Sequence, residues 1–297
     1  MTHPAVPSIS AVAELLKPIT WFPPMWAFAC GAVASGVAPE GRVGLVVAGV
    51  LLAGPLVCAT SQAVNDWFDR HVDAINEPQR PIPSGRMPGR WGLYVALAWT
   101  LLSLAAAWAI GPWVLAAAGF GLALAWAYSA PPLRLKNNGW WGNAACGLCY
   151  EGLAWVTGAA VMAGGAPSLR SLLLAALYSA GAHGIMTLND FKSIEGDRRM
   201  GVGSLPVRLG PQRAAWAACW IMALPQAAVV ALLLDWGCTQ HAAGVGLLLV
   251  VQLAMMVRFV AAPRERALWY SGLGVTLYVL GMLVSAFALR ALERGGS

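Results

Sequence analysis

Thirteen acidic residues are all this 297-residue chain contains, and seven of them fall in two short segments. The first runs Asn65-Asp66-Trp67-Phe68-Asp69-Arg70-His71-Val72-Asp73 and continues to Glu77; the second runs Asn189-Asp190-Phe191-Lys192-Ser193-Ile194-Glu195-Gly196-Asp197. On a helix, Asn65, Asp69 and Asp73 recur at i, i+4 and i+8, with Asp66 beside them, so their oxygens share one face. Asp190 and Asp197 are seven apart, and a continuous helix would place them two turns apart on one face. Like charges at that spacing repel unless positive charge is supplied. Hard divalent cations take oxygen ligands, and Mg²⁺ characteristically uses one or two carboxylates, waters and substrate phosphates. Asn65, Asp69, Asp73, Asp190 and Asp197 are therefore the candidate Mg²⁺ ligands. Polar loop residues capping helices would account for one such patch, but poorly for two that both open with Asn-Asp after an apolar stretch.

Basic residues stand near both patches. Arg80, Arg134, Lys136, Lys192 and Arg198 are candidates for holding a diphosphate, and Lys192 lies inside the second acidic segment. Carboxylates that bind metal, with metal and basic side chains that bind phosphate, make a self-consistent site for a Mg²⁺-bridged diphosphate.

The rest of the chain is built for lipid. Hydrophobic residues make up 59% and charged residues 11%, against about 25% charged in soluble domains, and mean hydropathy is +0.64. The net charge of +6 then reads as a basic bias beside a bilayer rather than a nucleic-acid surface. About nine stretches approach the ~20 apolar residues that cross a bilayer: 20–37, 43–64, 91–110, 113–129, 141–164, 171–189, 214–234, 242–260 and 269–289. With the N-terminus cytoplasmic, 15 of the 19 basic residues fall on the cytoplasmic side and only Arg42, Arg170, Arg290 and Arg294 on the other. Both acidic segments lie on that same side, four spans apart. This predicts an all-α integral membrane protein, residues 1–297 forming a single polytopic domain. Two four-helix pseudo-repeats and a ninth helix would surround a central cavity.

Specific segments resemble a known family. NDWFDRHVDAINEPQRPIPSG (Asn65–Gly85) and NDFKSIEGDRRMGVGSLPVRLG (Asn189–Gly210) are similar to the two aspartate motifs of UbiA-type intramembrane prenyltransferases. YSAPPLRLK (Tyr128–Lys136) resembles a third family segment. INEPQRPIPSG and NDFKSIEGDR are most similar to the chlorophyll and bacteriochlorophyll synthase branch, and the resemblance covers essentially the whole chain, including KPITWFPPMWAFACG near the start. The resemblance implies Mg²⁺ dependence and transfer of a geranylgeranyl or phytyl group from its diphosphate to the propionate of (bacterio)chlorophyllide a. It implies a bacterial cytoplasmic, photosynthetic membrane. It also implies catalytic work for Asp66, Asp69, Asp73, Asp190, Asp197 and Lys192. Relatives commonly carry an acid where this chain has Ser193, so Asp190 or Glu195 would compensate, or the second ion would keep more water. Aromatic or haem prenylation would retain the same motifs.

Glu151 is an acid deep in an expected span, and His183 lies seven residues before Asp190. Each has two readings: a packed interior group, or part of an acceptor pocket. His71 is solvent-facing or touches diphosphate. The pair Cys146 and Cys149 reads as small helix residues rather than a metal or redox site, and the six cysteines lie largely in apolar stretches, which disfavours disulfides. A secondary transporter would place its ionisable groups near the bilayer midplane. A non-enzymatic pigment-binding protein would need no paired Asp clusters.

The charge asymmetry makes a direct prediction. Single cysteines introduced at Gly89 and Gly203 should be shielded from an impermeant thiol reagent in right-side-out vesicles. Labelling of both positions from outside would overturn the orientation.

Overall fold

Prolines set where the first elements start and stop. Helix α1 (Ile9–Leu16) is capped by Ser8, whose Oγ accepts from the Ala11 amide. It ends at Lys17 because the residue before a proline disfavours helical backbone, and Lys17 takes a left-handed conformation with φ 46°. Helix α2 (Phe22–Ala34) carries Pro23 and Pro24 in its first turn, where missing amide hydrogens cost nothing. The computed structural model describes residues 6–295, and these contain helices but no β-strand.

Among the described residues, eight helices are long and apolar enough to cross a bilayer: α3 (Val43–Asn76), α4 (Trp91–Ile110), α5 (Pro112–Ser129), α6 (Gly139–Ala163), α7 (Leu169–Asp190), α10 (Pro211–Asp235), α11 (Thr239–Ala261) and α12 (Pro263–Gly295). Two short helices, α8 (Ile194–Arg199) and α9 (Leu205–Leu209), lie between α7 and α10. The nine expected spans correspond to these eight and to α2, which is only 13 residues long. Helix α3 is longer than expected. Its 34 residues rise about 51 Å against a hydrocarbon core of about 30 Å. The first acidic segment therefore rides on a rigid helix that extends past the membrane.

The second acidic segment differs from the expectation. The helix stops at Asp190 and resumes at Ile194, so Asp190 and Asp197 do not share one helical face. Phe191 is buried against the Phe259 ring, with centroids 5.6 Å apart. Ser193 Oγ lies 3.2 Å from the Asp190 carbonyl. A short polar side chain that bonds the backbone competes with helix continuation.

Helices α3 and α6 each contain a π-helical segment, Leu52–Cys58 and Leu148–Leu153. The first surrounds Pro55, and the Pro55 carbonyl accepts from Trp99 Nε1 at 3.1 Å. That donor satisfies backbone which lipid could not. Elsewhere the helices pack by close approach. A Cβ on Gly31 would come within 1.9 Å of the Trp155 carbonyl oxygen, and one on Gly158 within 2.0 Å of the Phe28 carbonyl oxygen. Small residues that let two backbones touch are a main source of helix association in lipid. In the second half, buried Gln226 and Gln252 exchange side-chain hydrogen bonds of 3.2 and 2.8 Å.

Gly31→Leu or Gly158→Val should therefore force α2 from α6, lowering the thermal inactivation midpoint in detergent by several degrees or abolishing insertion. Gly119→Ala, whose Cβ would meet only Leu104 at 3.9 Å, should leave the midpoint within about a degree. Equal effects at all three positions would contradict this packing.

Candidate active site

The acids of the first segment are each met by a cation from elsewhere in the chain. Asp69 Oδ1 accepts from Lys136 Nζ at 2.5 Å and from Arg134 at 3.2 Å. Asp73 Oδ2 accepts from Arg80 at 2.9 Å. Asp66, 2% exposed, accepts from Lys17 at 2.5 Å and lies 3.4 Å from Arg80. Burial pushes the Lys136 ammonium below the ordinary lysine range, and the neighbouring Asp69 carboxylate opposes that shift.

Local backbone explains how these cations arrive. Helix α5 ends at Ser129 because Ala130 precedes Pro131 and is extended. The chain turns through Arg134 in left-handed conformation, then through a single 3₁₀ turn, Leu135–Asn137. This turn is tied to the loop after the second acidic segment: Gly139 N–H donates to the Gly203 carbonyl at 2.9 Å, and Gly203 N–H to the Asn137 carbonyl at 3.0 Å. The two acidic segments are thus bridged by the segment carrying Arg134 and Lys136. On the far side, Asn143 Nδ2 on α6 donates to Asp190 Oδ2 at 3.0 Å. Asp197 Oδ2 lies 2.9 Å from Ser193 Oγ, so the serine in the acid position is a hydrogen-bond donor to the remaining acid. Lys192 and Arg198 are exposed, and Arg198 lies 3.5 Å from Glu195.

Beneath this polar lid lies a cavity of about 220 Å³. Asn65 stands at its polar end, with its amide donating to Ser129 Oγ at 3.3 Å. Its walls come from α2 (Pro24), α3 (Val57, Gln62), α5 (Leu124, Tyr128), α6 (Cys146, Tyr150) and α7 (Met186). Gln62 donates to the Tyr150 hydroxyl at 3.1 Å. Glu151 and His183 do not line this cavity. Glu151 is buried, and its Oε2 has no hydrogen-bond partner among the described residues. His183 packs against the Trp140 ring, and its Nε2 is 3.1 Å from the Trp140 carbonyl. His71 is exposed, and all six cysteines are free.

The donor set fits Mg²⁺ in type: amide and carboxylate oxygens, with no thiolate or imidazole among them. Among the described residues no three acidic, His or Cys side chains converge as a ready-made metal cage. That suits an ion which takes one or two carboxylates and completes its shell with water and phosphate.

The UbiA prenyltransferase family model matches residues 20–273. The chain belongs to this family. Among curated relatives, the bacteriochlorophyll synthase 33 kDa chain of Cereibacter sphaeroides is 58% identical over 98% of this chain and 97% of its own. That of Rhodobacter capsulatus is 54% identical over 96% and 95%. The chloroplastic chlorophyll synthase of Avena sativa is 38% identical over 93% of this chain and 75% of its own. A solved UbiA homolog from Archaeoglobus fulgidus, bound to GPP and Mg²⁺, shares the fold, with a TM-score of 0.69 at 20% identity over 95% of this chain and 99% of that one. The chain is a multi-pass membrane prenyltransferase.

In this prenyltransferase, sequence patterns missed three site residues. Lys17 pairs with an acid 49 positions away, Ser129 with Asn65 across 64 positions, and Asn143 with Asp190 across 47. The motif KPITWF was a signal for Lys17, and YSAPPLRLK contains Ser129; Asn143 had none beyond its apolar context.

Lys17→Met leaves Asp66 with only Arg80. A fully buried pair broken on one side costs about 3–5 kcal/mol. Lys17 is 23% exposed, which reduces the expected loss to roughly 1–3 kcal/mol. Adding Asp66→Asn should recover part of it in denaturation of the detergent-solubilised protein. No loss in the single variant would refute the pairing.

Proposed function

We propose that this chain transfers a geranylgeranyl or phytyl group from its diphosphate to the propionate carboxylate of (bacterio)chlorophyllide a, in the cytoplasmic photosynthetic membrane of a bacterium. The observation that supports this most is the contact of Asn65 with both environments: it opens the acidic helix face and also lines the apolar cavity. A diphosphate bound at the lid would put its prenyl tail in that cavity. The names of the bacteriochlorophyll synthase relatives support the tetrapyrrole acceptor, and the ligands of the Archaeoglobus homolog support the donor.

Asn65, Asp69 and Asp73 would hold one Mg²⁺-diphosphate half, with Asp190 and Asp197 holding the other. Bound Mg²⁺ would supply Lewis-acid neutralisation of the leaving diphosphate. Arg80, Arg134 and Lys136 are already gathered against the carboxylates and would add charge-assisted hydrogen bonds to phosphate oxygens. Lys192 and Arg198, exposed at the rim, would meet the diphosphate from solution. Asp66, locked to Lys17 and Arg80, holds Arg80 in place.

Ionisation of the allylic C–O bond produces a delocalised cation. The acceptor propionate is already an anion, because a carboxyl group titrates near pH ~4, so it attacks the prenyl carbon without a general base. Tyr128 and Tyr150 present aromatic groups to the cavity, where ring faces stabilise positive charge and exclude water. His183 and Glu151 belong behind the wall, and an acceptor-pocket role for either would require the wall to open.

Purified protein with Mg²⁺ should esterify chlorophyllide a or bacteriochlorophyllide a with these diphosphates and release diphosphate. Asp69→Asn and Asp197→Asn should each lower kcat at least a hundredfold, about 2.7 kcal/mol at 1.36 kcal/mol per tenfold, while the protein still inserts. Efficient use of quinone precursors with no use of chlorophyllide would refute the acceptor. Near-normal turnover of either variant at limiting Mg²⁺ would refute the metal assignment.

A further inference from the structure

The two acidic segments share one pattern, and the structure answers it in opposite ways. Asn65-Asp66-x-x-Asp69-x-x-x-Asp73 aligns with Asn189-Asp190-x-x-Ser193-x-x-x-Asp197, so Ser193 stands where the first segment has Asp69. In the first segment every carboxylate meets a cation: Asp66 meets Lys17, Asp69 meets Lys136 and Arg134, and Asp73 and Glu77 share Arg80. In the second, the equivalents of Asp66 and Asp73 meet neutral donors instead. Asp190 accepts from the Asn143 amide at 3.0 Å, and Asp197 from the Ser193 hydroxyl at 2.9 Å. Among the described residues neither of these acids forms an ion pair. The cations of that loop turn to Glu195, which lies 3.5 Å from Arg198 and 3.8 Å from Arg264.

The neutral donors are fixed by their own partners. Asn143 is 7% exposed and Thr187 fully buried. Thr187 Oγ1 donates its only hydrogen to the His183 carbonyl at 3.0 Å, so its 3.2 Å contact with Asn143 Nδ2 uses an amide hydrogen of Asn143. A carboxylate can only accept, so the other amide hydrogen goes to Asp190. Both are committed, and the amide cannot turn without leaving a buried group unpaired. Asn143 therefore holds the Asp190 side chain and leaves its charge uncancelled. Ser193 Oγ does the same for Asp197, and it also lies 3.2 Å from the Asp190 carbonyl.

A divalent cation approaching Asp190 and Asp197 meets two uncompensated charges at a half-buried site, where screening is weaker than in open solvent. One approaching Asp69 and Asp73 must first displace Lys136, Arg134 or Arg80, and a diphosphate is an anion that would draw those side chains to itself. We propose that Asn143 and Ser193 are positioning residues that let the second acidic segment take a divalent cation before any diphosphate is bound, whereas the first segment takes one only together with diphosphate. The proposal rests on the metal-diphosphate reading above and adds to it an order of assembly.

Equilibrium dialysis of the purified, detergent-solubilised protein against Mn²⁺, a stand-in for Mg²⁺ at oxygen ligands, counts bound ions without requiring turnover. Wild type should hold one ion per chain with no diphosphate present, and two once an unreactive prenyl thiodiphosphate is added. Asp190→Asn should weaken the diphosphate-free binding at least tenfold. Asn143→Leu, which keeps the shape and removes the donor, should weaken it at least fivefold. Ser193→Lys, at a half-buried position, supplies the counter-charge that Asp69 has and should also weaken it at least tenfold. Asp69→Asn should change it less than twofold. In turnover, Asn143→Leu should raise the Mg²⁺ concentration giving half-maximal rate by a larger factor than it lowers kcat. A wild type that binds no Mn²⁺ until thiodiphosphate is added, or equal losses in Asp69→Asn and Asp190→Asn, would overturn the order while leaving prenyl transfer intact. Unchanged Mn²⁺ affinity in both Asn143→Leu and Ser193→Lys would overturn the positioning role. A chain that binds Mn²⁺ in this order but turns over no prenyl diphosphate would overturn the proposed function and not the order.

Discussion

Carboxylates gathered on one helix face at the edge of a low-dielectric slab need positive charge close by. Asp66, Asp69 and Asp73 receive it from three different places: Lys17 after α1, Arg80 after α3, and Arg134 with Lys136 after α5. Most of the architecture on that side of the protein serves this requirement. Helix α3 continues past the membrane to present the acids. Prolines end α1 and α5 where the cations are needed. The Asn137–Gly203 backbone pairing ties the loop after the second acidic segment to the turn that carries Arg134 and Lys136 to Asp69. On the proposed reading the same cations would meet the diphosphate, and the lid would be preorganised for an anion that brings its own divalent counter-charge.

The apolar half answers a complementary constraint. An allylic cation must meet its acceptor before it meets water. The cavity below Asn65 is walled largely by aliphatic side chains, tyrosines and thiols, with Ser61 and Gln62 as neutral polar groups, and among the described residues no carboxylate lines it. Both π-helical segments contribute to its wall, through Val57 and Cys58 on α3 and Cys149 and Tyr150 on α6. Trp99 satisfies the Pro55 carbonyl at that level, which lets an irregular backbone persist in lipid. Close helix crossings at Gly31 and Gly158 keep α2 against α6 and so keep Pro24 in the cavity wall.

Much of this is legible in the sequence because its physics is local. Apolar length places the spans but not all their ends: α3 runs twelve residues past the expected 64 and α12 six beyond 269–289 on each side, while the i, i+4, i+8 residues from Asn65 to Asp73 do lie on one helix. Local rules fail where tertiary contacts win. Seven-residue spacing suggests that Asp190 and Asp197 share a helix face, but burial of Phe191 against Phe259 and the bond from Ser193 break the helix between them. Pro55 hints at the irregularity in α3; nothing comparable marks Leu148–Leu153 in α6. Lys17, Ser129 and Asn143 reach their acid or amide partners across dozens of residues, a distance over which periodicity carries no information.

The account turns on which bond the lid breaks. With ¹⁸O at the bridging oxygen of the prenyl diphosphate, ionisation at the prenyl carbon sends the label out with diphosphate. The ester then carries only the two oxygens of the acceptor carboxylate. Mass spectrometry of the pigment ester and the released diphosphate reads this in a single turnover. Label in diphosphate and none in the ester is the predicted result; label retained in the ester would mean that the acceptor carboxyl, not the prenyl carbon, is activated, and would contradict the account.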